Sequence, residues 1–385
     1  MSRPVSNRDR AMDAGNYWRS LMVRRRELLG MVGTTVGAGV LAMGTAEAAP
    51  QDARKHRRPS HRTLKVMQFN IWLGGSRVPG GRAGIADTIA AVEPDVVMLS
   101  ESNPERVANL LADLAERGLT YFDNENPVDP AVISRYPIIE HASFPSWSKA
   151  VVSVDGTEVA AYSGHLEYRY YVNYLPRGYG GGTPSPLETS EYGWGEIPTG
   201  PITDVGLITR LNAASGRTKV TRTVLADAAK ERVKGRLTLL AGDFNEPSHR
   251  DWNHRTRNLF DHNGAVVTWS TTKAIEDAGF RDSYRVIHPD PVRRPGFTWP
   301  SDNPGADVGQ LTWAPKADER DRIDFVFYHP DRRLRLLDSV IVGPSSTIVR
   351  NERVEESGRD RFWEPTWTWP TDHKAVLSTF RVATR

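Results

Sequence analysis

Apolar and polar positions recur along the chain in short runs that predict strands. Residues 64–70 read L-K-V-M-Q-F-N and alternate as a half-buried strand does. Residues 95–101 read D-V-V-M-L-S-E, an apolar run closing on polar residues, which predicts a strand buried on both faces. The same reasoning predicts strands at 131–134, 150–154, 159–163, 237–241, 323–328 and 375–381.

Three other segments read as helices. A short helix is predicted from 85 to 92, ending before a proline at 94. Asn103 as N-cap and Pro104 in the first turn predict a second helix that Gly118 ends. A third is predicted from 216 to 234. Strands and helices alternate early and strands predominate later, which favours an α/β or α+β sandwich of sheets with outer helices.

Residues 168–206 follow neither period and are rich in Tyr, Gly and Pro. We interpret this segment as a long surface insertion in one domain spanning 64–385. An aromatic and arginine-containing loop of this kind is expected to reach the substrate. Candidate substrate-binding residues here are Tyr168 and Arg169, and His249 and Trp252 are further candidates after the strand at 237–241.

The N-terminus has the pattern of an export signal. Arg24, Arg25 and Arg26 precede an uncharged Gly- and Ala-rich stretch, and residues 46–48 read A-E-A. This pattern resembles a twin-arginine signal peptide and predicts export of the mature chain, with 1–48 removed. Residues 49–63 are then expected to form a basic disordered arm. We expect no transmembrane segment in the mature chain.

Charge and cysteine content narrow the chemistry. Residues 1–48 contain seven arginines and four acidic residues, so the remaining chain has 43 basic and 43 acidic residues. A protein that tracks a nucleic-acid backbone usually carries a basic face, and this balance gives no support for one. The chain has no cysteine, which excludes thiolate catalysis and cysteine-ligated metals.

Polar side chains stand at the ends of most predicted strands. These residues, which a sheet sandwich can bring to one edge, are Asn70, Glu101, His165, Asp243, Asn245, Asp324, Asp372 and His373. Carboxylates and amide oxygens are the ligands that hard divalent cations prefer, and a neighbouring histidine can move protons. The set therefore predicts metal-assisted hydrolysis at phosphorus.

Seven segments in a fixed order resemble the endonuclease/exonuclease/phosphatase superfamily, which includes secreted deoxyribonucleases, abasic-site endonucleases, inositol polyphosphate phosphatases and bacterial sphingomyelinases. The segments are V-M-Q-F-N-I-W at 66–72, P-D-V-V-M-L-S-E at 94–101, A-V-I-S-R-Y-P-I at 131–138, Y-S-G-H-L at 162–166, G-D-F-N at 242–245, R-I-D-F-V at 322–326 and T-D-H-K-A-V at 371–376. The resemblance implies a four-layer fold of two packed sheets with helices outside.

The resemblance also implies a role for each site residue. Glu101 would be the main ligand of Mg²⁺ or Mn²⁺, Asn70 would support metal and phosphate, and Asp372 would lie at the metal end. Asp243 would orient the attacking water or hold metal, and alternation along an extended strand would point Asn245 the same way, onto the phosphate. His165 would contact the phosphate or protonate the leaving oxygen. His373, oriented by Asp324, would be the base or stabilise the transition state.

The resemblance implies the reaction better than the substrate. We expect an exported, monomeric phosphodiesterase or phosphomonoesterase acting on a small sugar- or lipid-linked phosphoester. The alternatives are a secreted nuclease acting on DNA or RNA and, as a minor one, a binding module without activity. The near-neutral mature chain and the aromatic insertion favour the first.

Overall fold

The computed structural model describes residues 60–182 and 192–384, which form one compact unit of strands and helices. The strands are β1 Ser60–Asn70, β2 Val96–Ser100, β3 Phe122–Asp123, β4 Ala131–Ser134, β5 Ile138–Phe144, β6 Trp147–Val154, β7 Thr157–His165, β8 Leu237–Asp243, β9 Arg281–Asp282, β10 Asp324–Tyr328, β11 Leu334–Val342, β12 Ser346–Val349, β13 Glu352–Glu355, β14 Phe362–Trp363 and β15 Ala375–Thr384. The α-helices are α1 Gly81–Val92, α2 Pro104–Glu116, α3 Val205–Ala214, α4 Arg217–Val233, α5 Ser270–Asp277 and α6 Ser283–Ile287.

Two mixed sheets form the centre of the fold. The first has seven strands in the order β14-β11-β15-β1-β2-β4-β3, and the second has six in the order β5-β6-β7-β8-β10-β9. Strand β1 pairs in parallel with β2, and β7 pairs in parallel with β8. The hairpin β12-β13 stands apart from both sheets.

Side-chain alternation along the central strands builds three apolar layers. Val66 of β1 packs with Leu239 of β8 in the core between the sheets. Met67 points the other way and packs with Ile89 of α1 and the residues of α2. On the far side, Leu240 packs against α4 and α5. The result is the four-layer arrangement of helices, sheet, sheet and helices that the sequence resemblance implied.

The buried strands were predicted well and the exposed ones were missed. The strand predicted at 131–134 is β4, and those at 237–241 and 323–328 correspond to β8 and β10 within two residues. Strand β5 was not predicted because it lies at a sheet edge and most of its side chains are partly or fully exposed. Without an apolar face, such a strand carries no period-two signal.

The start of the ordered domain differs from the prediction. Strand β1 begins at Ser60, not at 64, because residues 60–63 pair with residues 381–384 of β15. Backbone pairing with a neighbouring strand does not require apolar side chains, so a basic segment can extend the sheet. The predicted signal peptide and residues 49–59 of the predicted arm lie outside the described residues and stay predictions.

The interpretation of 168–206 as a surface insertion is wrong for its first part. Residues Val172–Arg177 form a 3₁₀ helix in which all six residues are buried. Val172 and Leu175 pack with Trp252 and Trp269 in an apolar cluster of their own. The aromatic composition of this part therefore serves packing, and the segment is an integral wall of the domain.

Across 60–182 and 192–384, no helix combines the length and the apolar character that crossing a bilayer requires.

Candidate active site

Strand pairing brings residues from distant parts of the chain to Asp243. Asp243 ends β8 and lies opposite His165 of β7 on one side and Asp324 of β10 on the other. The two glycines before these residues permit this approach, since a Cβ on Gly242 would lie 2.0 Å from the backbone oxygen of Gly164. Because glycine has no Cβ, the backbones of β7 and β8 can approach each other closely at Gly164 and Gly242, next to the site.

The carboxylate of Asp243 is the centre of the cluster and is only 1% exposed. Its Oδ2 accepts a hydrogen bond from Asn70 Nδ2 at 3.0 Å, which links the two sheets. The same oxygen lies 3.9 Å from His165 Nε2 and 3.8 Å from His373 Nε2. Burial and the neighbouring Asp324 raise the pKa of Asp243, and the two imidazoles oppose that rise.

His373 is held in one orientation by Asp324. Its Nδ1 lies 2.9 Å from Asp324 Oδ2, and the other oxygen of Asp324 accepts from Gln68 Nε2 at 2.7 Å. Burial lowers the pKa of His373, but Asp324, Asp243 and Asp372 outweigh it and raise the pKa to about 10. The ring is therefore a cation at neutral pH, with Nε2 facing Asp243.

His165 has an equivalent partner that the sequence did not reveal. Its Nδ1 lies 2.5 Å from Asp129 Oδ2, and the other oxygen of Asp129 accepts from the backbone nitrogen of Ser102 at 2.8 Å. Burial lowers the pKa of His165, and Asp129, Asp243 and Glu101 together raise it to about 9. Two imidazolium–carboxylate pairs thus flank one central carboxylate.

Asp129 and Gln68 are the functional residues that sequence reasoning missed. Asp129 lies in a proline-containing loop before β4, where an acidic residue is ordinarily a turn residue. Gln68 lies within β1 at a position where the alternation calls for an apolar residue, and this was the available signal in the sequence. In the structure its side chain is completely buried. A buried polar side chain in a core strand needs a partner, and here the partner is Asp324.

Glu101 has an unusual backbone conformation just beyond β2. Its φ is +60°, in the left-handed region, where non-glycine residues are rare. One carboxylate oxygen accepts from the backbone nitrogen of Leu73 at 2.9 Å and the other from Asn70 Nδ2 at 3.3 Å. This strained backbone at a site of buried acids is of the kind that clusters at ligand-binding positions.

Asp372 completes the acidic side of the cluster. It is 8% exposed, and burial raises its pKa, with Glu101 and Asp243 adding to the rise and His373 opposing it. Carboxylates that are buried close together are stable as anions only with a compensating cation. The carboxylate oxygens of Glu101, Asp372 and Asp243 are donors of the kind that a hard divalent cation prefers, whereas the Asn70 amide oxygen accepts from the backbone nitrogen of Trp72 at 3.0 Å.

Asp243 also belongs to a second group of side chains that could bind a metal, but in this group Asp324 already uses both oxygens in hydrogen bonds. Atoms of Asp243, Asp324 and His373 lie within 4.8 Å of one another. Both oxygens of Asp324 accept hydrogen bonds, from His373 and Gln68, and the residue is fully buried. We therefore assign Asp324 to the orientation of His373 rather than to a cation.

Asn245 reaches the site by a different route from the predicted one. Strand β8 ends at Asp243, and Asn245 has a φ of +47°, so period-two alternation does not apply. A turn brings the two together instead, with the Asn245 backbone nitrogen 2.9 Å from Asp243 Oδ1. The Asn245 side-chain amide donates to the backbone oxygen of Leu166 at 3.0 Å, and this bond places it beside His165.

Besides Asn245, the four other predicted substrate-binding residues fall into two groups. Tyr168 and Arg169 are partly exposed and follow the site residue His165 closely in sequence. Trp252 is 1% exposed and donates to Asp321 Oδ1 at 2.9 Å, so the prediction that it lines the substrate site is wrong. His249 contacts Thr272 and Glu276 of α5, on the helical layer, and the structure does not bring it to Asp243.

Comparison with known proteins gave one family match and distant relatives. A model of the Endonuclease/Exonuclease/phosphatase family matches residues 67–373. The uncharacterized protein F14F9.5 of Caenorhabditis elegans is 29% identical over 269 residues, covering 69% of this chain and 78% of that protein.

Solved structures resemble this chain at low identity. D. rerio TDP2 complexed with a single-strand DNA product is 18% identical, with 83% of this chain and 98% of that chain covered and a TM-score of 0.46. The human Nocturnin catalytic domain with bound sulfate is 12% identical, with coverages of 84% and 97% and a TM-score of 0.47. Similarity at this level carries no conclusion about substrate.

Proposed function

The chain belongs to the Endonuclease/Exonuclease/phosphatase family, whose members are generally hydrolases of phosphoester bonds, and we propose that it is a divalent-metal-dependent phosphoesterase. The observation that carries this proposal is the position of Asp243 between two imidazoles, 3.8 and 3.9 Å away, with Asn70 joining it to Glu101. Such a cluster combines oxygen donors for a cation with acid–base groups for phosphoryl transfer.

Glu101 and Asp372 would hold Mg²⁺ or Mn²⁺, with Asp243 beside them, and the Asn70 amide would support the site through its hydrogen bonds to Glu101 and Asp243. A bound cation of this kind supplies Lewis-acid stabilisation of the negative charge that develops on the phosphoryl oxygens. These residues lie at the ends of β1 and β8, just after β2 and just before β15, so the sheets fix their positions.

Asp243 is the group best placed to accept a proton from the attacking water. Asn70 and the Asn245 backbone nitrogen hold its two oxygens in place. A raised pKa makes this carboxylate a better proton acceptor than a solvated one, since the ideal base has a pKa near the operating pH.

The two histidines act as cations in this proposal. With pKa values of about 10 and about 9, His373 and His165 carry protons at neutral pH. His373 Nε2 then donates to a phosphoryl oxygen and stabilises the transition state. His165 Nε2 donates its proton to the leaving oxygen, while Asp129 holds the opposite ring nitrogen.

The substrate we favour is a small sugar- or lipid-linked phosphoester, either a diester or a monoester. Both arginines in the described part of the insertion have carboxylate partners, Arg169 with Glu167 at 2.6 Å and Arg177 with Asp321 at 2.5 Å. Paired cations of this kind offer little to the backbone of a long nucleic acid, which is bound through several cationic contacts.

Hydrolysis of bis(p-nitrophenyl) phosphate in Mg²⁺ tests the proposal. The full chain should turn this diester over, and His373→Ala should reduce kcat by about 10²- to 10⁴-fold, the usual contribution of a positioned acid–base group. His249→Ala is the matched control, since it removes a histidine outside the cluster. Near-normal turnover by folded His373→Ala would remove this residue from the mechanism.

A substrate panel separates the proposed substrate class from nucleic acid. DNA, RNA, sphingomyelin, phosphatidylinositol and sugar phosphates would be compared at equal phosphoester concentration. Preference for the small phosphoesters supports the proposal. Preference for DNA or RNA, with a steep loss of rate in salt, would identify a nuclease instead.

A further inference from the structure

The segment that follows His165 is hydrogen-bonded to residues of the catalytic cluster. The backbone nitrogen of Leu166 donates to the backbone oxygen of Asp243 at 3.0 Å, and its oxygen accepts from Asn245. Tyr168 follows two residues later. Burial raises the pKa of Tyr168, with Arg169 opposing the rise and the charges of Glu167 and Glu101 adding to it.

Tyr168 is paired with a tryptophan from the far end of the insertion. The rings of Tyr168 and Trp194 lie in parallel planes, 3° apart in angle, with centroids separated by 6.4 Å. Trp194 in turn lies 4.7 Å from Trp313. Because the first two planes are parallel, a flat group that stacks on one ring is also parallel to the other. We call the surface of Tyr168 and Trp194 the ring face.

Other aromatic residues support the ring face from below. Tyr171 packs 6.5 Å from Trp194 and 6.1 Å from Trp299, and Trp299 packs 6.4 Å from His373. Tyr171 and Trp299 are buried, whereas Tyr168 and Trp194 keep part of their surface exposed. Trp194 is thus connected through rings to His373, and through Tyr168 to the strand end at His165.

The charged groups beside the ring face are paired with one another. Arg169 forms two hydrogen bonds with Glu167, at 2.7 and 2.6 Å, and Lys316 lies 2.7 Å from Glu196. A neutral aromatic surface next to a phosphate site favours an uncharged ring over a second phosphate.

We propose that the ring face makes this enzyme selective for phosphoesters whose ester group carries a ring that can stack on an aromatic side chain. The ring would be either a nucleobase or the apolar face of a sugar, both of which stack on aromatic side chains. The inference rests on the proposed function, because the phosphate of the same ligand occupies the catalytic cluster. It names Tyr168 and Trp194 as specificity-determining residues.

Calorimetric titration of four phosphates into the full chain with Mg²⁺ tests the inference without turnover. Inorganic phosphate and glycerol 3-phosphate lack a ring. Glucose 1-phosphate carries a sugar ring, and thymidine 5′-monophosphate carries a base. At least one ring-bearing ligand should bind about 5- to 140-fold more tightly than glycerol 3-phosphate, the range expected of one stacked ring.

Variants locate any such preference on the ring face. Trp194→Ala should abolish it without changing the Kd of glycerol 3-phosphate, Tyr168→Ala should lower the ratio of the two affinities, and Trp194→Phe should retain most of the preference. Trp367→Ala is the matched control, because this partly exposed tryptophan contacts Thr88 of α1. Thermal unfolding of each variant checks its fold, and Tyr168→Ala carries the test if Trp194→Ala is unfolded.

The outcomes separate this inference from the proposed function. Tighter binding of glucose 1-phosphate alone identifies a sugar as the ring, and tighter binding of the nucleotide alone identifies a base. Equal affinity for glycerol 3-phosphate and both ring-bearing ligands overturns the inference and leaves the phosphoesterase proposal standing. If inorganic phosphate and all three esters fail to bind, the phosphate site itself is contradicted.

Discussion

Asp243 has a charged neighbour on either side, and each neighbour is set by a further carboxylate. His373 takes its orientation from Asp324, and His165 takes its orientation from Asp129. The carboxylates raise the pKa of both imidazoles above the ordinary value, which keeps the rings cationic through neutral pH. The distribution of protons in the site therefore depends on residues that need not touch the substrate.

Asp129→Asn should move the alkaline limb of the pH–kcat profile to lower pH. Loss of the Asp129 charge removes a main influence that raises the pKa of His165 to about 9, so the ring loses its proton earlier. At pH values below the His165 pKa of both proteins the ring is protonated in each, and the rates should converge. The asparagine can still accept from Ser102, which limits structural disturbance.

The same change has a signed effect on stability. A folded-state pKa above the unfolded value stabilises the protein below pH 6.5, and this contribution is lost as the pH rises through about 9. The stability difference between wild type and Asp129→Asn should therefore shrink at alkaline pH. Asp331→Asn, which removes a carboxylate paired with Arg333, is the control. An unchanged alkaline limb in Asp129→Asn would contradict the assigned role of this pair.

At the scale of elements, the site is a consequence of where strands stop. Polar residues at the ends of β1, β7 and β8 were predictable, because buried strands leave a clear apolar pattern with an obvious end. Asp129 could not be predicted as a site residue, because a carboxylate in a loop before a strand is ordinarily a turn residue. The position of Asn245 was predicted for the wrong reason, since a turn, not the pleat of a strand, sets it.

The same contrast applies to the segment after β7. Its aromatic composition indicated substrate contact, yet three of its six tyrosines, Tyr171, Tyr174 and Tyr179, pack inside the domain. Composition alone cannot separate a ring that packs from a ring that binds, because both uses require the same apolar surface. Only the fold distinguishes the buried Tyr171 and Tyr174 from the partly exposed Tyr168.

Helix α2 allows a prediction for a single element. Asn103 was predicted as its N-cap, and its side chain accepts from the backbone nitrogen of Arg106 at 2.8 Å. Asn103→Ala should lower the free energy of unfolding by about 0.5–2 kcal/mol, the cost of losing such a cap. Urea unfolding measures this, and Asn103→Ser should stay close to wild type. Equal midpoints for Asn103→Ala and wild type would show that the cap contributes nothing.

At the scale of the whole molecule, the two sheets act as one frame for the acidic cluster. Glu101 and Asn70 belong to the first sheet and Asp243 to the second, and the Asn70 amide bridges them. The order of strands and helices along the sequence indicated a sandwich of sheets, and the family resemblance implied the four-layer fold. The pairing of β7 with β8 could not be predicted from hydrophobic periodicity, since periodicity does not specify which strands are neighbours.

The central claim is that this frame holds a divalent cation that phosphoester hydrolysis requires. The direct measurement is turnover of bis(p-nitrophenyl) phosphate by the full chain in excess chelator, and again after Mg²⁺ is added beyond the chelator. We expect turnover to disappear and then return in wild type, and to return far less in Glu101→Gln, which keeps the shape of the side chain without its charge. Full turnover by wild type in excess chelator would contradict the account.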